Sequence, residues 1–530
     1  MMGAGLPSRF DNGSLKYSNN AGTISAMKPH SAAPKTQEIE LKLALPTADP
    51  ASLAKRLARS PVLARRTAKH QFLHNIYFDT PEQFLRQQRI ALRLRRVDSD
   101  EKPQWLQTLK TGGSSNSALT QRGEWESPVT SPVLSKRALK DTPWTDIDPA
   151  GHVFQALQPH FVTDFERTSW LVRKRDGSVV EVALDIGQIE TGDKRTPLCE
   201  LELELISGSP AALFEIAQQI SRSIAVLPSA MSKAERGYAL AQGSLALPIR
   251  AQAPKLSADL SLLETAQRVL LDMFGHFTAN LNALLTSDDP EVVHQARIGW
   301  RRFKSARRLF RPILAAESVP SWQALEPLLS CLSELRDLDV ALTETLPPLA
   351  NAFVAGDVRR GQTWDEMTAA MTLASDLQRK AVRYALQEPL LGACLLATTQ
   401  WLEALPSTKP TPKTGPAAKE SLRHWTQRRL TRLHDQLHRA LKNIDTPEDQ
   451  HRVRILAKRM RYGIEAMRPL VPKRNAQRLY QESTSLQVDI GATRDTTQAV
   501  ALVARLQADR GLIEFLRGVA ACQTLSGAGK

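Results

Sequence analysis

The amino-acid sequence predicts two folds in one chain: an α+β N-terminal domain, built as an eight-stranded antiparallel β tunnel or barrel with flanking helices, and an all-α C-terminal domain of two pseudo-repeated helical bundles. Three observations predict this division. Charged and apolar residues alternate in short segments up to about residue 206. Apolar residues recur at three- and four-residue spacing after residue 258, and one H-x-x-R motif occurs twice there.

The predicted domain boundaries follow changes in composition. Residues 1–35 are rich in Ser, Asn, Gly and Ala and predict a flexible leader. The barrel domain is assigned to residues 36–245 and the helical domain to residues 258–525, because residues 245–257 combine prolines with no clear periodicity. Residues 405–419 contain four prolines and predict a break between helices.

Period-two alternation marks the candidate strands, because successive side chains of a strand point to opposite faces of a sheet. The predicted strands are 37–45, 71–78, 89–97, 104–110, 121–127, 165–173, 179–187 and 198–206. Helical spacing interrupts them, and the predicted helices are 50–59, 80–88 and 210–225.

One face of these strands is charged, and the sign of the charge differs between strands. The first strand carries Glu38 and Glu40, a middle strand carries Arg93 and Arg95, and the last strand reads CELELEL over 199–205. Each strand alone could be a solvated sheet face. A row of carboxylates repels itself unless cations compensate it, so the set favours acidic and basic strands that face each other inside a closed barrel.

A lumen lined with both signs has a chemically defined ligand. Arg and Lys bind phosphate oxygens, and Arg can do so through two parallel hydrogen bonds. Clustered carboxylates bind hard divalent cations such as Mg²⁺. The sequence therefore predicts a site for a metal–polyphosphate complex, in which the metal neutralises charge and activates a water molecule for attack on phosphorus.

Several short motifs, in this order along the chain, resemble the CYTH family, also called triphosphate tunnel metalloenzymes. They are the ExExK pattern that begins at Glu38, the NIYFDT stretch at 75–80, the R-x-R pair, the acidic last strand and the SKAERGY segment at 232–238. The resemblance covers roughly residues 36–243. It implies an eight-stranded antiparallel tunnel that hydrolyses or cyclises triphosphates with Mg²⁺ or Mn²⁺.

The same resemblance implies a role for each charged position of the barrel. The implied metal ligands are Glu38, Glu40, Glu200, Glu202 and Glu204. The implied phosphate-binding residues are Lys42, Arg93, Arg95, Lys110, Arg122, Arg167, Lys233 and Arg236, the last two on a helix expected to plug one end of the tunnel. Asp185 could steady a basic residue or bind a second metal, and Glu124 and Glu126 are expected to pair with arginines.

A repeated basic motif dominates the helical half. HQARIGWRRFK begins at His294, HRVRILAKRMR begins at His451, and an R-D pair follows each motif at nearly equal distance. With 3.6 residues per helical turn, the first, fourth, eighth and eleventh positions of each motif share one face. The two predicted basic stripes are His294, Arg297, Arg301 and Lys304, and His451, Arg454, Lys458 and Arg461. The repeat predicts two bundles related by a pseudo-twofold axis.

This half resembles the CHAD domain, a helical module often fused behind a CYTH domain and associated with inorganic polyphosphate. The resemblance covers about residues 258–525 and implies that both stripes bind a long polyanion. A solvated basic face is the alternative, although such a face has no reason to repeat its positions. Nucleic acid is disfavoured, because aromatic platforms for base stacking do not interleave with the stripes, apart from Trp300 and Tyr462 nearby.

Composition narrows the setting. The net charge of +15 favours a polyanionic partner. No segment resembles a membrane span or a secretory signal, and four widely separated cysteines argue against a disulfide scaffold or a thiolate zinc site. A cytoplasmic protein is expected, and the sequence favours no particular oligomeric state.

Three functions follow from these features. The favoured one is a metal-dependent inorganic triphosphatase that converts tripolyphosphate to pyrophosphate and orthophosphate, with a helical domain that binds polyphosphate. The second acts on a nucleotide or on thiamine triphosphate, as a triphosphatase or an adenylate cyclase, but no base and ribose pocket is evident. The third is a polyphosphate-binding protein without activity, although a pure anion receptor gains nothing from clustered carboxylates.

Overall fold

A computed structural model of the chain describes most of residues 37–528. The described ranges are 37–47, 49–98, 103–113, 117–314, 319–405, 421–442, 446–489 and 492–528. The predicted leader at 1–35 lies outside them, as does all but the first residue of the break predicted at 405–419. The described residues form one compact unit.

The first half is a closed antiparallel barrel. Its strands are β1 (Gln37–Ala44), β2 (Lys69–Asp79), β3 (Ile90–Asp98), β4 (Gln104–Thr111), β5 (Leu119–Val129), β6 (Gln158–Arg173), β7 (Val179–Thr191) and β8 (Lys194–Ser207). They are hydrogen-bonded in the order β5-β4-β3-β2-β6-β7-β8-β1, and pairing of β1 with β5 closes the barrel. A two-residue strand, β9 (Leu227–Pro228), pairs with the end of β1. The predicted eight-stranded barrel is confirmed.

Strand β6 begins seven residues earlier than the predicted 165, because its first part hides the alternation. Pro159 lacks a backbone N–H, and it pairs with Phe78 where the register between β2 and β6 shifts. The β7–β8 hairpin is likewise longer than predicted and turns at Gly192, whose φ of 57° lies in the left-handed region.

Apolar side chains of the strands point outward and are covered by helices. Leu41, Leu43 and Leu203 are fully buried in a cluster with residues of α1 and α5. The helices of this half are α1 (Leu53–Ala58), α2 (Phe84–Gln87), α3 (Trp144–Ile147), α4 (His152–Gln155), α5 (Ala211–Ile220) and α6 (Lys233–Ala241). Because the apolar faces are used outside, the charged faces are left for the interior, as predicted.

The second half contains helices and helical turns but no strand in its described residues. The helices are α7 (Leu262–Ala283), α8 (Pro290–Phe310), α9 (Glu326–Val340), α10 (Ala350–Val354), α11 (Val358–Ala385), α12 (Pro389–Ala404), α13 (Leu422–Leu441), α14 (Pro447–Met467), α15 (Lys473–Asp489), α16 (Ala492–Arg505) and α17 (Arg510–Ala528). The predicted all-α fold of this half is confirmed.

The sequence repeat corresponds to a structural one. Helices α8 and α14 have 21 residues each, and both begin with Pro at the first helical position. The preceding residues, Asp289 and Thr446, cap them by accepting a hydrogen bond from a backbone N–H of the first turn. Each helix packs against the one before it, α8 on α7 and α14 on α13, and α8 also contacts α14.

The barrel and the helices share a packed interface. Leu396 of α12 is fully buried in the barrel's outer apolar cluster, and Leu227 of β9 lies in the main helical core. Gln218 of α5 donates a hydrogen bond of 2.8 Å to Gln400 of α12. The two halves are therefore coupled through side-chain packing as well as through the connecting segment.

We expect Gly392→Ala to destabilise this interface, because a Cβ on Gly392 would lie 2.4 Å from the backbone oxygen of Val226. Overpacking of this kind costs about 1–3 kcal/mol. Urea unfolding of the full chain measures the change. Gly361→Ala in α11 is the matched control, since the nearest atom to its added Cβ is 3.9 Å away, and it should be neutral or slightly stabilising. Equal midpoints for Gly392→Ala and the native chain would contradict the interface.

Candidate active site inside the barrel

The charged faces of the strands meet inside the barrel. Lys110 of β4 contacts Glu38 of β1 at 2.9 Å, although β5 lies between these strands. Arg167 of β6 contacts Glu202 of β8 at 2.6 Å across the intervening β7. Such contacts between strands that are not neighbours require side chains that point into a common lumen.

Strand β1 supplies the centre of this network. Arg122, opposite Glu38 in the β1–β5 pairing, contacts Glu38 at 2.7 Å and Glu40 at 2.6 Å. Lys42 pairs with Glu40 on its own strand and lies 3.5 Å from Glu202. The ExExK pattern therefore places two acids and one base among partners from both neighbouring strands.

A first acidic cluster combines three strands. One carboxylate oxygen from each of Glu38, Glu124 and Glu204 lies within 4.8 Å of the others. Lys110 contacts Glu38 and also lies 3.0 Å from Glu124, whereas Glu204 has neither a hydrogen bond nor an ion pair with the residues that the structure describes. A half-buried carboxylate beside two others, with no ion pair of its own among the described residues, is suited to a divalent metal ion.

The two acids that begin and end the predicted ligand set have opposite pKa shifts. Burial alone would raise the pKa of Glu38, but Lys110 and Arg122 lower it below its usual range. Burial, together with the neighbouring Glu38, raises the pKa of Glu204 to about 7. At neutral pH, Glu38 is ionised and Glu204 is close to its midpoint.

The raised pKa of Glu204 predicts a pH-dependent stability in metal-free buffer. The folded state binds more protons than the unfolded state between about pH 4.5 and pH 7, so stability falls as the pH rises through this window. From pH 5 to pH 8, the native free energy of unfolding should fall by up to about 3 kcal/mol more than that of Glu204→Gln. Urea unfolding in EDTA checks this expectation, and parallel pH curves for the two proteins would contradict it.

A second acidic cluster is already occupied by basic side chains. Asp185, Glu200 and Glu202 lie within 4.8 Å of one another. Lys233 contacts all three, at 2.7 Å from Asp185 and 2.9 Å from Glu202. Arg167 holds Asp185 through two hydrogen bonds of 2.7 Å. The structure therefore places Asp185 beside Arg167 and Lys233, both of which were predicted to bind phosphate.

Lys233 enters the barrel from α6, which is fixed at both ends of the SKAERGY segment. Ser232 and Glu235 form a capping box at the start of the helix. Tyr238 donates a hydrogen bond of 2.7 Å to Asp79, the acid of the NIYFDT stretch. Asp79 also accepts backbone N–H groups at the start of α2. These two motifs thus hold one helix against the barrel, and Arg236 of the same helix lies 3.4 Å from Glu200.

The R-x-R strand carries cations that are poorly compensated. Arg93 lies 3.7 Å from Glu124 and donates to the hydroxyl of Tyr77 at 3.4 Å. Arg95 donates to the side-chain oxygen of Asn75 at 2.8 Å and forms no ion pair within the described part of the chain. Burial, together with Arg93 and Arg167, lowers the pKa of Arg95 to about 10. A half-buried guanidinium without a carboxylate partner among the described residues is suited to an anionic ligand.

All thirteen barrel residues predicted as functional lie in this network, but the five acids do not form one group. Glu38 and Glu204 belong to the first cluster, Glu200 and Glu202 belong to the second, and Glu40 belongs to neither. Glu124 contacts Arg93, as expected, and also joins the first cluster. Glu126 accepts a hydrogen bond from Thr108 rather than from an arginine. The pairing of Asn75 and Tyr77 with the arginines was missed, although both share one face of a predicted strand.

Most residues of the two basic stripes are half-buried, and only Lys304 and His451 are exposed. His294 is half-buried, and burial together with Arg336 lowers its pKa, so its ring is neutral at neutral pH. This shift disfavours the charged form of His294, so its ring adds less positive charge to the stripe than the arginines and the lysine do. Arg336 belongs to the R-D pair after the first motif, which adds a cation from α9 beside this stripe.

Further cations lie where α8 meets α14. Arg302, nearly fully buried, donates to Glu465 at 3.1 Å and joins the two helices. Burial and the nearby Arg308 lower the pKa of Arg459. Cations from the two repeats therefore approach closely enough to repel each other. A polyanion bound over both helices would relieve that repulsion.

The fold and the network define a class of protein: a closed β barrel whose enclosed interior carries paired charges of both signs, joined to a basic helical domain. Residues 36–238 match the CYTH domain model and residues 268–504 match the CHAD domain model. The chain therefore carries a CYTH domain in its barrel and a CHAD domain behind it.

Several known proteins are similar to parts of this chain. A Haemophilus influenzae protein named inorganic triphosphatase is 37% identical over 205 residues, which cover 38% of this chain and 55% of that protein. The chain thus matches about half the length of this relative. The CHAD domain structure from Ricinus communis is 27% identical with a TM-score of 0.45, covering 53% of this chain and 92% of that one. A putative adenylyl cyclase from Hippeastrum, reported with a dominant triphosphatase activity, is 17% identical with a TM-score of 0.27. The match covers 39% of this chain and 96% of that one.

Among the described helices, none combines the length and the apolar character that crossing a membrane requires.

Proposed function

We propose that the protein is a metal-dependent inorganic triphosphatase that hydrolyses tripolyphosphate to pyrophosphate and orthophosphate, and that its helical domain binds inorganic polyphosphate. One observation carries the proposal: among the described residues, the same enclosed barrel holds a carboxylate without an ion pair, Glu204, and a guanidinium without an ion pair, Arg95. A ligand that brings both a metal ion and phosphate groups satisfies both. A metal ion alone would leave the charge of Arg95 uncompensated, and phosphate alone would leave the charge of Glu204 uncompensated.

The donor set of the first acidic cluster fits Mg²⁺ or Mn²⁺, because it offers clustered carboxylate oxygens. Glu38, Glu204 and Glu124 would hold the ion, with Glu40 next along β1. When bound, such an ion neutralises phosphate charge and lowers the pKa of a coordinated water molecule. In the second cluster, Asp185, Glu200 and Glu202 are compensated by Lys233 and Arg167, so these acids chiefly position basic side chains toward the lumen.

The basic residues would bind and orient the phosphate chain. Arg95 has no ion pair within the described residues and Arg93 has one, with Glu124. These two arginines would grip the phosphate oxygens, assisted by Lys42, Lys110, Arg122, Arg167, Lys233 and Arg236. Water attack on the terminal phosphorus expels pyrophosphate, whose developing negative charge these cations stabilise. Because the cations are already held by neighbouring carboxylates and Asn75, little reorganisation is needed when the substrate arrives.

The Haemophilus influenzae relative supports an inorganic substrate, since it is named inorganic triphosphatase and its similarity spans 205 residues. The alternative enzymes act on ATP or on thiamine triphosphate and need a site for the organic group. Phosphate release by the full chain with Mg²⁺ should be at least about 10-fold faster, as kcat/KM, for tripolyphosphate than for either alternative. A preference for ATP or thiamine triphosphate would overturn the inorganic assignment, and binding without turnover would leave only a phosphate receptor.

Polyphosphate binding by the helical domain predicts a second, separable effect. Arg301→Gln combined with Lys458→Gln removes one cation from each stripe, and the affinity for long-chain polyphosphate should fall at least about 10-fold at low salt. The loss should shrink as salt rises, because screening weakens contacts between exposed charges. Calorimetric titration of the full chain at two salt concentrations measures it.

The matched control for this experiment is Arg428→Gln combined with Arg432→Gln on α13, which removes two exposed cations outside both stripes. The affinity of this control variant for long-chain polyphosphate should change less than about twofold. Equal losses in the control and in the Arg301→Gln/Lys458→Gln variant would show that total charge, rather than the two stripes, binds the polyanion. Tripolyphosphate turnover should be similar in all three proteins.

A further inference from the structure

A group of three potential metal ligands lies in the helical half, outside the barrel and away from both basic stripes in the sequence. His434 and His438 are four residues apart on α13, so both project from one face of that helix. Glu482 projects from α15 toward them. One ligand atom from each of the three residues lies within 4.8 Å of the other two.

The backbone positions of these ligands are fixed by a shared core. Leu430 and Leu437 of α13 are buried in one cluster with residues of α14, and Leu479 and Leu486 of α15 pack against it. Glu482 lies between the two α15 leucines, one turn from each. The three side chains are therefore carried on rigid elements at the edge of a packed core, as a metal site requires.

The contacts between the three side chains cannot all be satisfied as hydrogen bonds. The two Nε2 atoms are 2.8 Å apart, Nε2 of His438 is 3.1 Å from Glu482, and Nε2 of His434 is 3.7 Å from Glu482. A ring nitrogen carries either one hydrogen or one lone pair. With Glu482 ionised, a hydrogen on Nε2 of His438 has to be shared between His434 and Glu482. A hydrogen on Nε2 of His434 instead leaves the lone pairs of His438 and Glu482 facing each other at 3.1 Å. A cation that accepts lone pairs from all three groups removes this conflict.

We propose that His434, His438 and Glu482 form a site for Zn²⁺ or a similar first-row divalent ion that joins α13 to α15. Two imidazole nitrogens and one carboxylate are a common zinc ligand set, with a water molecule as the usual fourth ligand. In a tetrahedral zinc site, ligand atoms are roughly 3.3 Å apart, close to the separations seen here. His438 is 47% exposed at its side chain, which leaves room for water and for entry of the ion.

Zinc titration of the full chain tests the proposal, with Mg²⁺ in excess to saturate the carboxylates of the barrel. The native chain should bind one more Zn²⁺ than the His434→Ala/His438→Ala variant, and its affinity should fall at least about 10-fold in Glu482→Gln. Zn²⁺ should also raise the thermal midpoint of the native chain but not of the double variant. Co²⁺ bound to the native chain should give the visible absorption of a tetrahedral ion, and the double variant should lack it.

His424→Ala provides the matched control, because it removes an exposed histidine of the same helix three turns away, and its zinc binding should equal that of the native chain. Circular dichroism confirms that each variant is folded, and Glu482→Gln keeps the test valid if the double variant is not. Equal zinc stoichiometry and affinity in the native chain and in a folded variant of the cluster would overturn the proposal. Because no step uses the barrel, this result is independent of triphosphatase activity.

Discussion

Glu38→Gln should lower the turnover of tripolyphosphate at least about 100-fold at saturating Mg²⁺, with little increase in KM. The substitution keeps the shape of the side chain and removes the negative charge that the first acidic cluster would offer to the metal. Loss of one preorganised electrostatic contact to the reacting groups typically costs about 10²–10³ in kcat. Phosphate binding should persist, because every basic residue of the barrel remains in place.

The Mg²⁺ concentration required for half-maximal activity should rise in Glu38→Gln, which separates a metal-binding role from a general loss of folding. Glu166→Gln is the matched control, since Glu166 is exposed on β6 next to Arg167, and its turnover and metal requirement should be native. If Glu38→Gln retained native turnover at native Mg²⁺ concentrations, the metal role of the first cluster would be wrong.

Lys233→Met should reduce the free energy of unfolding by about 3–5 kcal/mol at neutral pH. Lys233 is buried and contacts Asp185, Glu200 and Glu202, so its removal leaves three neighbouring carboxylates with too little positive charge. Removing one partner of a buried ion pair typically destabilises a protein by this amount, because the remaining charge is uncompensated in a desolvated environment. The loss should shrink as the pH falls toward 5, when the three carboxylates can share a proton.

Urea unfolding measures the free energy of unfolding of Lys233→Met, with Arg236→Met as the control. Arg236 lies on the same helix but is 20% exposed and contacts Glu200 at only 3.4 Å. Its loss should therefore cost about 1 kcal/mol or less, as for other solvent-screened pairs. Equal midpoints for the native chain and Lys233→Met would show that the second acidic cluster does not depend on this lysine.

Much of the fold could be predicted because local pattern and tertiary structure agree in this chain. Strict alternation in β1, β3 and β8 indicates one apolar face and one charged face, and a closed barrel encloses the charged faces of all three strands. The short helices α3 and α4 were missed because four residues are too few to show a period. The early start of β6 was missed because Pro159 and the register shift interrupt its alternation.

The candidate site was predicted as a set of residues but not as a geometry. The sequence shows that Glu38, Glu40 and Lys42 share a face, yet the register between strands decides which partners they meet. That register separates Glu204 from Glu200 and Glu202, although all three alternate on one strand. The zinc cluster was missed because Glu482 lies on a different helix from His434 and His438, and only tertiary packing brings them together.

Hydrolysis of tripolyphosphate in water enriched in oxygen-18 tests the central claim most directly. With Mg²⁺ and the full chain, phosphorus NMR should show one pyrophosphate and one orthophosphate from each tripolyphosphate. The heavy oxygen should appear only in orthophosphate, because water attacks the terminal phosphorus and pyrophosphate leaves. Heavy oxygen in pyrophosphate, or no Mg²⁺-dependent hydrolysis by a folded protein, would contradict the account.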